Sequence, residues 1–330
     1  MSDSTPLPVP LIVDTDIGTD IDDLLALIIA ATDPRWDLLA VTTVNGNTGD
    51  RAAFARRVLD TLGRNDVAVG AGHSDPLSGR PNSCMPRPTL ERHRTPTGYS
   101  HRFDNAVSVI STAVRRSPRP VTICGIGAYS NLVDTIDQDP SLLDGVAGLH
   151  LMGGCLADMA VAGQVVSHAS YTEYNISGDP WATERILSYP VPRVLVPVDL
   201  TYRLRLSQRS LRSMARGTVL ASLLEQEIAA FQHEFLTPRV ARSTGPRAAT
   251  IILNDPAALL STVLPATAFT DRSLRVATTA DGVRLRCVPG GELWRVPREI
   301  DRGEVIDTLG AALARLRTSE PACTKESSVG

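Results

Sequence analysis

Residues 11–30 read LIVDTDIGTDIDDLLALIIA. Three apolar residues, Leu11–Val13, run into five aspartates, Asp14, Asp16, Asp20, Asp22 and Asp23, and then into the apolar stretch Leu24–Ala31. The first run reads as a short buried strand. The second reads as a helix apolar on nearly every face, which other elements must enclose. Two carboxylates about 4 Å apart repel by about 4 kcal/mol at an effective dielectric near 20. Acids this crowded are therefore partly protonated or joined by a cation. An all-carboxylate donor set suits a hard divalent ion, calcium or magnesium, better than zinc or copper.

Outward from this stretch, strand-like and helical patterns alternate. Strands are expected at Leu38–Val44, Val67–Val69, Pro120–Cys124, Val146–Met152 and Val194–Val198. Helices are expected at Arg51–Leu62, Asn131–Ile136 and Pro180–Leu187. This alternation predicts an α/β fold, an open, mostly parallel doubly wound sheet with helices on both faces. Ala266–Pro297 reads as a small β-rich segment with turns at Asp281–Gly282 and Gly290–Gly291. Ser74–Tyr99, rich in Pro, Arg and Gly, reads as a long loop near the site. The expected organisation is a flexible stretch 1–10, one domain over 11–318, and a disordered tail over 319–330.

In such sheets ligands bind at the carboxyl ends of the strands, where the aspartates fall. Asp14 and Asp16, two apart, share one face of the extended segment. Asp22 and Asp23 lie in the first helical turn, where the helix dipole favours negative charge. Thr19 and Asp22 fit a capping box, but capping accounts for one or two acids and not five.

Composition excludes several chemistries. The net charge of −3 gives no electrostatic case for nucleic acid. Lys325 is the single lysine, so neither a Walker-type phosphate loop nor a Schiff base fits the sequence. The five cysteines, Cys84, Cys124, Cys155, Cys287 and Cys323, form no CxxC pair and read as buried free thiols. The amino terminus has no basic region or apolar signal core, and no apolar run reaches the ~18 residues of a membrane span. A soluble cytoplasmic protein with no membrane partner is expected.

Two D-x-D families fail on residues. An EF-hand needs Gly at position six and Glu at position twelve; counted from Asp14 these are Thr19 and Leu25. A haloacid-dehalogenase-type phosphatase uses a downstream lysine, absent from residues 1–324. The chain instead resembles the calcium-dependent inosine–uridine-type nucleoside hydrolases. Their opening D-x-D-x-G-x-D-D is matched by Asp14-Thr15-Asp16-Ile17-Gly18, then Thr19-Asp20-Ile21-Asp22-Asp23, with two extra residues before the final pair. TTVNGNTGDRAAFARRVLDTLGRNDVAVGAG (42–72) resembles the second block, and VTICGIGAYSNLVDTIDQDPSLL (121–143) a block usually reading ATGPLTNLA…DP. LHLMGG (149–154) resembles IVIMGG, TEYNISGDPWA (172–182) resembles AEFNIYVDPEA, and LNDPAALL (253–260) resembles HDPLAV. The six blocks are collinear over residues 11–265.

The resemblance implies hydrolysis of the N-glycosidic bond of a ribonucleoside to ribose and free base, assisted by Ca2+. Asp16 is the implied general base and a metal ligand, with Asp23, Asp255 and the Ser130 carbonyl completing the shell. Asp22, Asn47, Glu173 and Asn175 would bind ribose hydroxyls, with Asp14 supporting the metal loop. Asp20 stands as an alternative to Asp22 for the ribose contact, or as a further metal ligand. The implied assembly is a homodimer or homotetramer. One departure is Asn254, where many members carry His before the last metal-binding Asp; an amide is no general acid at neutral pH. His93, His101, His168 and His233 are the remaining leaving-group candidates, and Phe231, Tyr174 and Trp181 the candidates for stacking on a base. Two alternatives stay open, a relative acting on a modified nucleoside in specialised metabolism and a non-catalytic calcium-dependent nucleoside or sugar binder.

Overall fold

The leading strand, β1 (Val9–Thr15), lies inside a ten-stranded sheet in the computed structural model, which describes residues 6–79, 103–161, 164–235, 250–279 and 282–317. In chain order there follow β2 (Trp36–Thr43), β3 (Ala68–Ala71), β4 (Asp104–Asn105), β5 (Val121–Gly125) and β6 (Val146–Met152). A hairpin, β7 (Met159–Val161) with β8 (Gln164–Val166), precedes β9 (Arg193–Val196). β10 (Arg205–Ser207) and β11 (Thr250–Ile252) form a second antiparallel pair. The last strands are β12 (Phe269–Thr279), β13 (Gly282–Cys287) and β14 (Glu292–Pro297).

The order across the large sheet is β13-β12-β14-β9-β6-β5-β1-β2-β3-β4. Neighbours from β14 through β4 pair in parallel, and β12 runs antiparallel to β13 and β14. The expected mostly parallel sheet and β-rich C-terminal segment are both present. β1 pairs with β2 on one side and β5 on the other, so chain order reverses at β1/β5 and opens a crevice at their carboxyl ends.

Both faces of the sheet are covered, which is why its central strands are near-continuously apolar. Leu11 and Val13 join the core built with α1 (Asp22–Thr32) and α2 (Thr48–Thr61). Ile12 points into the opposite core with α3 (Ala106–Arg116) and α4 (Ser130–Gln138). Asp22 through Ala31 of α1 are all buried, as its all-round apolarity required. Each such Leu or Ile contributes about 1.5–3 kcal/mol.

Some local readings are corrected. The residue capping α1 is Ile21, with no side-chain cap hydrogen bond, so the Thr19–Asp22 capping box does not form. The Thr19 hydroxyl instead donates to the Asp16 carbonyl at 3.4 Å. Cys124 and Cys155 are buried thiols as expected, but Cys287 is exposed; Cys84 and Cys323 lie outside the described residues. So do residues 1–5, most of the Ser74–Tyr99 loop and the 319–330 tail. The helix expected around His233 is present as Ala221–Phe235, and helix Gln208–Ala215 has no counterpart in the sequence pattern. Among the described residues no helix is long and apolar enough to cross a membrane.

Candidate active site

The strand ends deliver the aspartates to one place. Asp22, Asp23 and Asp255, all buried, offer carboxylate oxygens within 4.8 Å of one another. The first two open α1, and Asp255 is the second residue of helix Asn254–Ser261, which follows β11. Asp16 interacts electrostatically with all three. Burial, then repulsion from Asp16 and Asp22, holds Asp23 well above the usual carboxylate range. Burial, then repulsion from Asp22, Asp23 and Asp16, does the same to Asp255. Burial also raises Asp16 and pushes Asp22 up to about 6. A cluster that retains protons for want of a counter-charge, and whose donors are all carboxylate oxygens, fits a hard divalent cation.

Asp14 stands near the end of β1. Its Oδ1 accepts from Thr42 Oγ1 at 2.6 Å and from Asn131 Nδ2 at 2.8 Å, while its buried Oδ2 has no partner. Burial pushes it up to about 7. Asn131 ties three strand ends together: its amide also donates to the Thr43 carbonyl at 3.0 Å, and its oxygen accepts from the His73 amide at 2.9 Å.

Arg51, fully buried in α2, is the positive charge beneath the cluster. Its guanidinium donates to the carbonyls of Asp16 and Ile17, to Thr19 Oγ1, and through Nε to the Asn45 carbonyl at 2.7 Å. The loop carrying Asp16 is thereby fixed to the turn after β2. Thr15 Oγ1 donates to Asp23 Oδ1. Across the β1/β5 crevice, a Cβ on Gly127 would lie 3.0 Å from the Asp16 amide nitrogen and 2.7 Å from Val44 Cγ1, so only glycine permits this approach.

Asn47 is exposed and caps α2, accepting from the Asp50 amide at 3.3 Å. Asn45, two residues earlier in the same turn, donates from Nδ2 to the Tyr174 hydroxyl at 3.1 Å. Its φ of +68° is a left-handed conformation that asparagine tolerates. The Asn45–Gly46 dipeptide was the available turn signal.

Glu173 caps the short helix α5 (Tyr174–Gly178) and accepts from the amides of Gly154, Asn175 and Ile176 at 2.9, 3.0 and 3.1 Å. Asn175 donates to the carbonyls of Ile126 and Met152, both at 3.1 Å. Ser130 opens α4, and its hydroxyl donates to Asp179 at 2.7 Å. Asn254 bridges the two ends of the site: Nδ2 donates to Asp22 at 3.0 Å, and Oδ1 accepts from Thr201 at 2.7 Å. Asp20 accepts from the Ile21 amide at 2.6 Å.

Of the histidine candidates, His168 does not join this group. His168 is paired with Asp158 at 2.6 Å beside the β7–β8 hairpin, half exposed. His233 lies in helix Ala221–Phe235, and His93 and His101 fall outside the described residues. Of the aromatics, Phe231 belongs to the core and Trp181 is 46% exposed on helix Pro180–Ile186. Arg51, Asn131 and Asn45 escaped the sequence reading. The available signal was a polar side chain inside otherwise apolar helical faces, which marks a buried polar group needing partners.

Residues 11–314 match the family described as inosine-uridine preferring nucleoside hydrolase. An uncharacterised protein of Schizosaccharomyces pombe is 29% identical over 237 residues, 66% of this chain and 71% of its own length. A protein of Citrobacter koseri titled pyrimidine-specific ribonucleoside hydrolase is 28% identical over 239 residues, with the same coverage. Among solved structures, one titled plant nucleoside hydrolase superposes with a TM-score of 0.75 at 22% identity, covering 93% of this chain and 99% of its own. A purine-preferring ribonucleoside hydrolase from Gardnerella vaginalis gives 0.71 at 20% identity, covering 93% and 98%.

Proposed function

The chain belongs to the inosine-uridine preferring nucleoside hydrolase family, enzymes that hydrolyse ribonucleosides to ribose and base, and on that premise we propose that it does so with Asp16 as general base beside a calcium ion. The carboxylates of Asp16, Asp23 and Asp255, with the Ser130 carbonyl, are the ligands in this reading. The single observation that carries it is the convergence of buried aspartates from opposite ends of the chain, raised by burial and mutual repulsion. Bound calcium would supply a positive charge that orients the sugar diol and makes a nearby water easier to deprotonate.

The chain's own residues do the rest. Asp16 takes a proton from the water whose oxygen attacks the anomeric carbon. The carbon–nitrogen bond breaks with its electron pair leaving on the base, through an oxocarbenium-like transition state. Asp22, Glu173 and Asn175 present side-chain oxygens to the ribose hydroxyls, and Asp14 with Asn131 and Arg51 holds the loop that aims Asp16. Asn45 of the β2 turn donates to the hydroxyl of Tyr174, which stands between Glu173 and Asn175.

Asn254 supports an altered base half. Its oxygen is committed to Thr201 and its amide to Asp22. The base therefore departs without an acid from this position, which favours substrates whose base leaves readily, modified nucleosides among them. Steady-state turnover of natural ribonucleosides and p-nitrophenyl riboside, in calcium and in chelator, tests the reading. Turnover lost in chelator, and reduced by about 10²–10⁴ in Asp16→Asn, is expected. A p-nitrophenyl riboside left untouched in millimolar calcium would overturn it.

A further inference from the structure

We propose that Tyr174 is a ribose-binding residue that donates its phenolic hydrogen to a hydroxyl oxygen of the substrate sugar. The inference rests on the proposed function and concerns a residue between Glu173 and Asn175, where the family block quoted above has Phe.

The Asn45 amide fixes the direction of the hydrogen bonds. The Asn45 Nδ2 lies 3.1 Å from the Tyr174 oxygen. An amide NH2 can only donate, so Tyr174 is the acceptor in this pair. Its own hydrogen has no acceptor among the described residues. Burial, then repulsion from Asp16, raises the phenol well above its ordinary range, so the hydrogen stays in place at any working pH. The side chain is only partly buried.

A census of donors shows what this hydrogen is for. Asn131 uses both amide hydrogens on Asp14 and Thr43. Asn175 uses both on Ile126 and Met152. The aspartates and Glu173 offer acceptors when ionised. A sugar hydroxyl that donates to one of these carboxylates still needs a donor for its oxygen lone pairs. Tyr174 supplies one next to Asp16, where the sugar must lie for Asp16 to reach the attacking water.

The test is Tyr174→Phe, which keeps the ring and removes one hydroxyl. kcat/KM and calorimetric Kd are measured in calcium for one ribonucleoside and its 2′-, 3′- and 5′-deoxy analogues. A neutral hydrogen bond contributes about 1 kcal/mol net, so kcat/KM for the ribonucleoside should fall about 5- to 10-fold and its Kd rise similarly. For the one analogue that lacks the accepting hydroxyl, variant and wild type should agree within about twofold, as in a double-mutant cycle. No loss on the ribonucleoside, or an equal loss on all three analogues, overturns the assignment; equal losses would mean that Tyr174 merely shapes the site. Binding that follows this pattern without turnover would support Tyr174 and count against the proposed hydrolysis. Neither binding nor turnover would overturn both.

Discussion

Withdrawing the cation from the aspartate cluster should make this protein lose stability as pH rises. Burial carries Asp14 from 3.8 to about 7 and Asp22 from 3.8 to about 6, and Asp16, Asp23 and Asp255 move the same way. A carboxyl whose value is higher in the folded state holds its proton more tightly there than in the unfolded chain. Its contribution is complete below about 4 and disappears as pH rises through about 6 to 7. For Asp14 the difference of about three pH units corresponds to about 4 kcal/mol. At about 2 °C per kcal/mol for a large chain, that is about 8 °C in Tm. Groups of opposite sign act elsewhere: hydrogen bonds from Arg35 outweigh burial at Asp33, and Arg64 lowers Asp66, so their loss begins only in acid. The assay is a thermal scan from pH 5 to pH 8 in chelator and in millimolar calcium. In chelator Tm should fall by about 5 °C across this window, since pH 5 to 8 covers about two of Asp14's three pH units, with Asp22 adding to the fall, and calcium should remove the part that belongs to the cluster by replacing its protons with a cation. A Tm in chelator that is flat or rises towards pH 8, or a calcium effect larger at pH 5 than at pH 8, would refute the reasoning.

Three further outcomes are expected. Arg51→Leu removes donors to two carbonyls of the Asp16 loop and to the Asn45 carbonyl, and should cost about 3–5 kcal/mol in urea unfolding; a loss below 1 kcal/mol would deny Arg51 its fixing role. Gly127→Ala places a methyl 2.7 Å from Val44 Cγ1 and 3.0 Å from the Asp16 nitrogen, so kcat should drop about 10²-fold or more while circular dichroism stays native. Asn254→Ala takes a donor from Asp22 and leaves the Thr201 hydroxyl without its acceptor; calcium Kd, read by calorimetry, should change by at least threefold, and an unchanged value would show the bridge to be idle.

The sheet was legible because its strands are buried on both faces and therefore carry uninterrupted apolar runs; Val146–Met152 falls on the observed strand residue for residue. The site was legible where chemistry concentrates charge, at Asp14 to Asp23, and through the collinear blocks at Asp255. It was less legible where geometry decides. Asn45 and Asn47 are two residues apart in the same turn, yet Asn45 takes the left-handed bend and bonds to Tyr174, while Asn47 caps α2. Thr19 has the letters of a capping box, but its hydroxyl is drawn to the Asp16 carbonyl and Arg51. Arg51 looks like one arginine among several in α2 until the packing encloses it. No spacing rule separates a buried arginine from its exposed neighbours when both faces of the surrounding sheet are covered.

The hydrogen bond from Asn254 to Asp22 joins residues 232 positions apart. A ribosome has therefore made the strands around β1 long before it supplies the partner that finishes the pocket. Contacts spanning so much chain close late, after the nearer pairings have formed. A fragment ending just short of Asn254 would carry β1 through β11 and still lack Asn254 and Asp255, so turnover should report complete synthesis more stringently than any spectroscopic measure of secondary structure.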